Sequence, residues 1–241
     1  MTRVMTSNKQ AYDASQIHLV ETSQAMRDRQ KNAITHPHIN WHDTLENVPF
    51  TSEVPSILIA NEFLDALPVQ QFQKTEQGWA QRVVGLEKDA LTLGLTPCDP
   101  LPFEGAALGQ VVELSPARIS IGRLIKEHCQ AALIIDYGYG VQPLGETLQA
   151  LHDKKPCGIL DYPGESDLTA HVDFHSLAAL MQGRDVTYAK QGEWLDAYGG
   201  RERLEALCAA NSTKAQSLKD GYNRLTAPQQ MGDLFKVFEV A

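Results

Sequence analysis

In the stretch ANEFLDALPV, residues 60–69, an amide, two carboxylates and a proline follow directly on the apolar run Ile57, Leu58, Ile59. A short apolar run predicts a buried parallel strand, and ligands in open α/β sheets collect beyond the carboxyl ends of such strands. Asn61, Glu62 and Asp65 are therefore well placed for chemistry. Carboxylates match a planar guanidinium through charge-assisted hydrogen bonds, so a cationic acceptor is the chemistry they suggest. The plainer alternative makes Asp65 the cap of a turn. Asp136 and Tyr137 stand at the end of a second apolar run, QAALIIDYGYG, and share the same crevice if the two strands are neighbours. A lone Asp at a strand end is as often structural.

Three further residues could carry chemistry. Glu21 follows the run Ile17 to Val20, where an acidic side chain can accept hydrogen bonds from both ribose hydroxyls of a nucleotide; equally, it can face the positive end of the next helix. Asp43, just past HINW, could accept from an adenine amino group beside the wall of Trp41, or cap the DTLENV turn. His171 in LTAHVDF could be a base, a substrate contact or a residue at a helix start. The eight histidines form no HExxH set and the cysteines at 98, 129, 157 and 208 no CxxC pair, so no metal site is expected. Free thiols in a reducing compartment follow from the same spacing. GxSxG and GxxxxGK[ST] are absent, and GYG at 138–140 is too short for a dinucleotide fingerprint.

Those residues need a scaffold, and the pattern around them is alternating strand and helix, which predicts an α/β fold with a mainly parallel sheet. Strands are expected at Ile17 to Val20, ending near Trp41, over SILIANEF, VVEL, QAALIID, DVTYAK and LFKVFEV. Ser23 and Ser115 are candidate helix caps, Ser115 with Pro116 behind it and a stripe of Ile121, Leu124, Ile125 and His128. A helix starts in HVDFHSLAALMQG with Phe174, Leu177, Leu180 and Met181 on one face, and residues 200–226 read as helical. VQQFQKT, WAQRVVG and ALTLG alternate with turns between them, which predicts an antiparallel meander inserted over about 69–110. Residues 140–170 read as a long, irregular, lid-like connection. With 241 residues, 43% of them hydrophobic, the chain suffices for one domain, 1–241. A net charge of −9 disfavours nucleic acid and anionic membrane, and there is neither a membrane-spanning run nor a signal-peptide core.

HLVETSQAMRDRQ, NWHDTL, ANEFLDALPV, VVELSPA, LIIDYGYG, GETLQALHDKK, PGESDLTAHVDF, KQGEW and MGDLFKVF, in this order, closely resemble the MidA-like methyltransferases, a group that includes the mitochondrial complex I assembly methyltransferase. The resemblance implies a Rossmann-like class I methyltransferase sheet and S-adenosyl-L-methionine as cofactor. It implies Glu21, Asp43 and Asn61 on the cofactor, Glu62 and Asp65 as catalytic carboxylates, and Asp136, Tyr137 and His171 on the substrate. Protein arginine N-methylation linked to complex I assembly is the implied activity, with a basic, arginine-bearing protein segment as partner. A small-molecule acceptor, or a non-catalytic assembly role, are the alternatives. One departure stands out: the family's first strand and glycine-rich loop, of the type ELGPGRGTLM, do not precede HLVETS here. Residues 1–16 resemble only the end of the helix that follows that loop. The implied sheet then lacks a strand between those ending at Glu21 and Asn61, and the implied hold on the cofactor is weak. Cytoplasm is the expected compartment, with the mitochondrial matrix as alternative.

Overall fold

The computed structural model describes residues 8–103, 105–141 and 145–241, in two compact units divided at Pro55 and Ser56. Pro143 of the expected lid, Glu104 and residues 1–7 lie outside the described residues.

The first unit holds α1 (Lys9–Ala14), β1 (Ile17–Val20), α2 (Gln24–Ala33) and β2 (Ile39–His42). β1 and β2 pair in parallel with Val20 opposite His42, as a strand, helix, strand unit requires. Ser23 caps α2, its hydroxyl accepting from the amide of Met26. His18 Nδ1 lies 2.9 Å from His42 Nε2 across the pair.

The second unit is built around β8 (Ala131–Tyr139). One edge of β8 carries β14 (Phe235–Val240), which in turn carries β13 (Val186–Lys190), both pairings antiparallel. The other edge is shared: β3 (Ile57–Asn61) runs parallel along Ala131 to Ile135, and β12 (Val172–Asp173) parallel along Gly138 and Tyr139. The sheet is thus mixed, not mainly parallel, because the last strand returns antiparallel beside β8. Ala132, Ile134, Asp136 and Gly138 all point to the buried side of β8, against a core that includes Phe174, Phe238 and Val237. A Phe buried as these are contributes about 2–3 kcal/mol by the area it removes from water. On β3, Ile57 and Ile59 remain exposed.

α3 (Pro116–His128) starts as expected, with Ser115 accepting from the Arg118 amide and Pro116 in the first turn. Its buried face differs from expectation: Arg118, Ile121, Gly122 and Ile125 are buried, while His128 is exposed. α4 (Phe174–Leu180) packs Leu177 and Leu180 on Gly122, where a Cβ would sit 2.9 Å from Leu180. α5 (Gln191–Ala197), α6 (Gly200–Ala210) and α7 (Ala215–Thr226) connect β13 to β14; the first of them was not anticipated.

The meander forms β4 (Gln70–Thr75), β5 (Gly78–Glu87) and β6 (Ala90–Pro97). VVEL becomes β7 (Val111–Leu114) and pairs with β4, so the four-stranded sheet runs in the order β6, β5, β4, β7. Its core is Phe72, Trp79 and Val112. Residues 140–170 also depart from the reading as irregular: β9 (Gln149–His152), β10 (Lys155–Cys157) and β11 (Asp167–Thr169) make a small antiparallel sheet. Its hairpin turns at Asp153 and Lys154, both left-handed (φ 49° and 62°), a geometry that DKK does not advertise as NG or DG would.

Gly138 is fixed by close approach. A Cβ there would lie 2.1 Å from the Val172 carbonyl oxygen, so the two backbones meet only because the side chain is missing. Gly138→Ala is expected to cost about 2–4 kcal/mol, read from urea unfolding; a loss under about 1 kcal/mol would mean β12 docks elsewhere.

Candidate functional site

Asp136 sits on β8 just after β3 has left its edge and just before β12 takes it over. In that gap the chain turns at residues 62–65, starting from Glu62, which is exposed and left-handed (φ 47°). The turn points its amides at Asp136: Oδ2 accepts from Phe63, Leu64 and Asp65 at 3.2, 2.9 and 3.2 Å, and Oδ1 from Tyr137 at 3.0 Å. Burial, and next the charge of Asp65, push this carboxyl up to about 7, against the pull of the amides. Asp136 has no exposed surface. It cannot touch an acceptor as the sequence suggested; it anchors the turn that presents Glu62.

Asp65 is also not a turn cap. Its Oδ2 accepts from the Tyr137 hydroxyl at 2.5 Å, and its buried Oδ1 has no partner among the described residues. Burial, then this bond to Asp65, raise the Tyr137 phenol, so it stays a donor. His171 meets the Tyr137 ring edge-on, with centroids 5.5 Å apart. Burial lowers His171, helped by Lys236 and Arg118 and opposed by Glu113, which keeps the imidazole neutral at pH 7. Asn61 is exposed and its amide reaches Glu62 at 3.5 Å.

Two residues that hold this arrangement were missed. Arg118, 7% exposed, donates to the carbonyls of Leu64 (2.7 Å), His171 (2.7 Å), Ala170 (2.8 Å) and Asp65 (3.3 Å). It binds the turn to the chain entering β12. Burial lowers its pKa, while Asp136, Tyr139, Glu113 and Asp65 oppose that. The signal was present: Arg118 falls three residues before Ile121 and seven before Ile125, on the apolar stripe of α3. Glu113 accepts from the amides of Thr147 and Leu148 (3.0 and 2.9 Å), the Thr147 hydroxyl and Gln71. Its place at the end of VVEL gave no hint of this.

In the first unit, the ends of β1 and β2 bring Glu21 beside Asp43. Glu21 Oε1 accepts from the Ser23 amide at 2.9 Å and Oε2 from Gln30 at 3.3 Å. Asp43 does not cap the DTLENV turn. Thr44 takes that position, and Asp43 pairs with Arg27 at 2.5 Å. Each Glu21 oxygen can accept a second hydrogen bond, so the pair of oxygens still suits a diol.

Over residues 1–190 the sequence matches the family of S-adenosyl-L-methionine-dependent methyltransferases. The chain belongs to this family. It is 32% identical over 262 aligned positions to the protein arginine methyltransferase NDUFAF7, mitochondrial, of Rattus norvegicus, covering 92% of this chain and 58% of that protein. The Homo sapiens protein of the same name is 34% identical, covering 83% of this chain and 48% of its own length. The chain thus spans about half the length of these relatives. A COG1565 superfamily protein from Burkholderia thailandensis superposes with a TM-score of 0.81 at 25% identity, over 94% of this chain and 66% of its own. A second, from the same organism and bound to S-adenosyl-homocysteine, gives 0.79 at 24% identity, with 94% and 64% covered. The expected α/β, class I methyltransferase-like fold and the S-adenosyl-L-methionine family stand on these matches. In this methyltransferase-family chain the glycines of DYGYG serve packing: Gly138 lies against Val172 and Gly140 against Tyr188.

Proposed function

We propose that this chain carries the acceptor end of an S-adenosyl-L-methionine-dependent protein arginine N-methyltransferase, acting on a basic protein segment, with a complex I subunit as the client class. The observation that carries the reading is the acidic turn after β3. There an exposed Glu62 follows Asn61, and Asp65 keeps one buried oxygen without a partner among the described residues while Tyr137 holds the other. The exposed Glu62 carboxylate can meet a planar guanidinium through charge-assisted hydrogen bonds, with the buried Asp65 adding negative charge close by. The names of the curated relatives support the same acceptor. Those names are mitochondrial, which favours the matrix over the cytoplasm.

Glu21 and Asp43, side by side in the first unit, would hold the cofactor. S-adenosyl-L-methionine supplies an electrophilic methyl group when bound. A guanidinium nitrogen that attacks it must be aligned and must lose a proton, and alignment supplies most of the acceleration. Glu62 orients the nitrogen and takes the proton as transfer proceeds. Asp65, buried and fixed by the Tyr137 hydroxyl, adds negative charge under the turn that favours a cationic acceptor at Glu62. His171, neutral and half-buried, contacts the acceptor chain.

Incubation with S-adenosyl-L-methionine and a basic client peptide should yield monomethyl- or dimethylarginine by mass spectrometry. Glu62→Gln is expected to lower kcat about 100-fold with the KM for the cofactor unchanged. An unchanged kcat removes Glu62 from the chemistry. Methylation of small molecules but no peptide redirects the acceptor. A folded chain with no calorimetric binding of the cofactor points instead to a non-catalytic assembly role.

A further inference from the structure

The hairpin of β5 and β6 exposes an apolar face that methyl transfer does not use. Cross-strand register sets Val84 opposite Leu93, Leu86 opposite Leu91 and Arg82 opposite Leu95. Directly opposed residues share a face, so Val84, Leu86, Leu91, Leu93 and Leu95 form one side. Each of the five is between 40% and 69% exposed. Thr92, Gly94 and Thr96 lie on the other side with Val83 and Gly85. Lys88 and Asp89 turn the hairpin with both φ positive (48° and 66°), which gives a twisted two-stranded ribbon. Among the described residues β6 is paired on one edge only, and Ala90–Pro97 contains no charged residue of the kind that guards exposed strands.

We propose that this face is the contact of a two-fold homodimer, the hairpins of two copies stacked face to face and antiparallel. Its area suits that occupant. The five side chains expose on the order of 450 Å² of apolar surface, toward the upper end for a monomer's largest patch. Two such faces with their rims bury about 1,200 Å², the lower bound of stable interfaces. Its charge suits a like partner as well. The one guanidinium on this face, Arg82, is committed to Glu146 at 2.7 Å and is mostly buried, so nothing on it selects a charged partner despite a net charge of −9. Its relief is self-complementary. Leu86 projects near the tip, 69% exposed, and the foot of the same face holds a cavity of about 380 Å³ lined in part by Ala80, Leu95 and Pro97. An isologous contact sets residue i on j and j on i. Antiparallel stacking brings each Leu86 over the other copy's foot and leaves Val84 and Leu93 near the axis.

Sedimentation equilibrium of the 241-residue chain tests this. A dimer is expected at tens of micromolar, and the double change Leu86→Glu with Leu93→Glu should raise its dissociation constant about 100-fold or more. Both leucines are exposed, so circular dichroism and Tm should be retained. If that variant unfolds, cysteine crosslinking decides. Leu93→Cys, near the axis, should form an intermolecular disulfide above the level given by the native thiols, and Leu86→Cys should not link to itself. A monomer at these concentrations, an unchanged constant in the folded double variant, or no crosslink through Leu93→Cys overturns the proposal. Methylation activity enters none of these readouts.

Discussion

Arg118→Met is expected to cost about 3–5 kcal/mol in urea unfolding, more than any other change to the second unit considered above. Four carbonyl oxygens, those of Leu64, Asp65, Ala170 and His171, lose a guanidinium donor at once, although Leu64 and Asp65 keep the amides of Leu67 and Ala170. The cost falls mainly on the carbonyls of Ala170 and His171, since a buried acceptor left unpaired costs about 1–3 kcal/mol. Methionine keeps most of the arginine's volume, so the loss reports hydrogen bonding and charge more than a cavity. The Arg118 charge also faces Asp136, and its removal takes a cation away from that carboxyl. Arg118→Lys should recover less than half of the loss, since a point charge with three donors cannot span four carbonyls. Hydrogen exchange should quicken at 63–65 and 170–172 before the rest of the sheet. A loss below about 1 kcal/mol would show that the two segments hold one another without the guanidinium.

How far the sequence discloses this site depends on the residue. Strand ends are legible because apolar runs stop at polar side chains, and Asn61, Glu62, Asp136 and Tyr137 fall at or next to the register the runs imply. That β3 and β8 are neighbours is a tertiary fact which no run states; it is what turns four separate residues into one site. The division of roles is also tertiary. Asp136 and Glu62 are both acidic residues near the end of an apolar strand, yet one is sealed under three amides and the other stands in solvent. Arg118 illustrates the opposite case. Its helical phase was readable, but a lone arginine on an apolar stripe suggests a chain that reaches past the core to water. The meander was legible from alternation, while β9 to β11 were not. Their strands are three or four residues long, too short for alternation to register, and Pro156 sits inside one of them.

Stability of the second unit should fall as pH rises from about 4 to about 7, and Asp136 should be the cause. The unfolded carboxyl titrates near 3.8, whereas in the fold burial and the charge of Asp65 hold it up to about 7. Between those values the native state keeps a proton that the unfolded chain has released, so the stabilising contribution is complete below the lower value and lost through the upper one. A separation of about three pH units corresponds to roughly 4 kcal/mol. Other groups add to the pH profile, so the informative quantity is the difference between the parent and Asp136→Asn. An uncharged amide has no such transition, and the difference in urea unfolding free energy should change by roughly 3–4 kcal/mol between pH 4 and pH 8. The opposing physics is explicit: four amide donors and the nearby Arg118 favour the ionised form. If the difference stays flat or reverses, those donors outweigh burial and Asp136 is charged throughout. Glu62 would then be presented by a turn clamped between two fixed charges, Asp136 beneath it and Arg118 beside it, and its position would not vary with pH in this range.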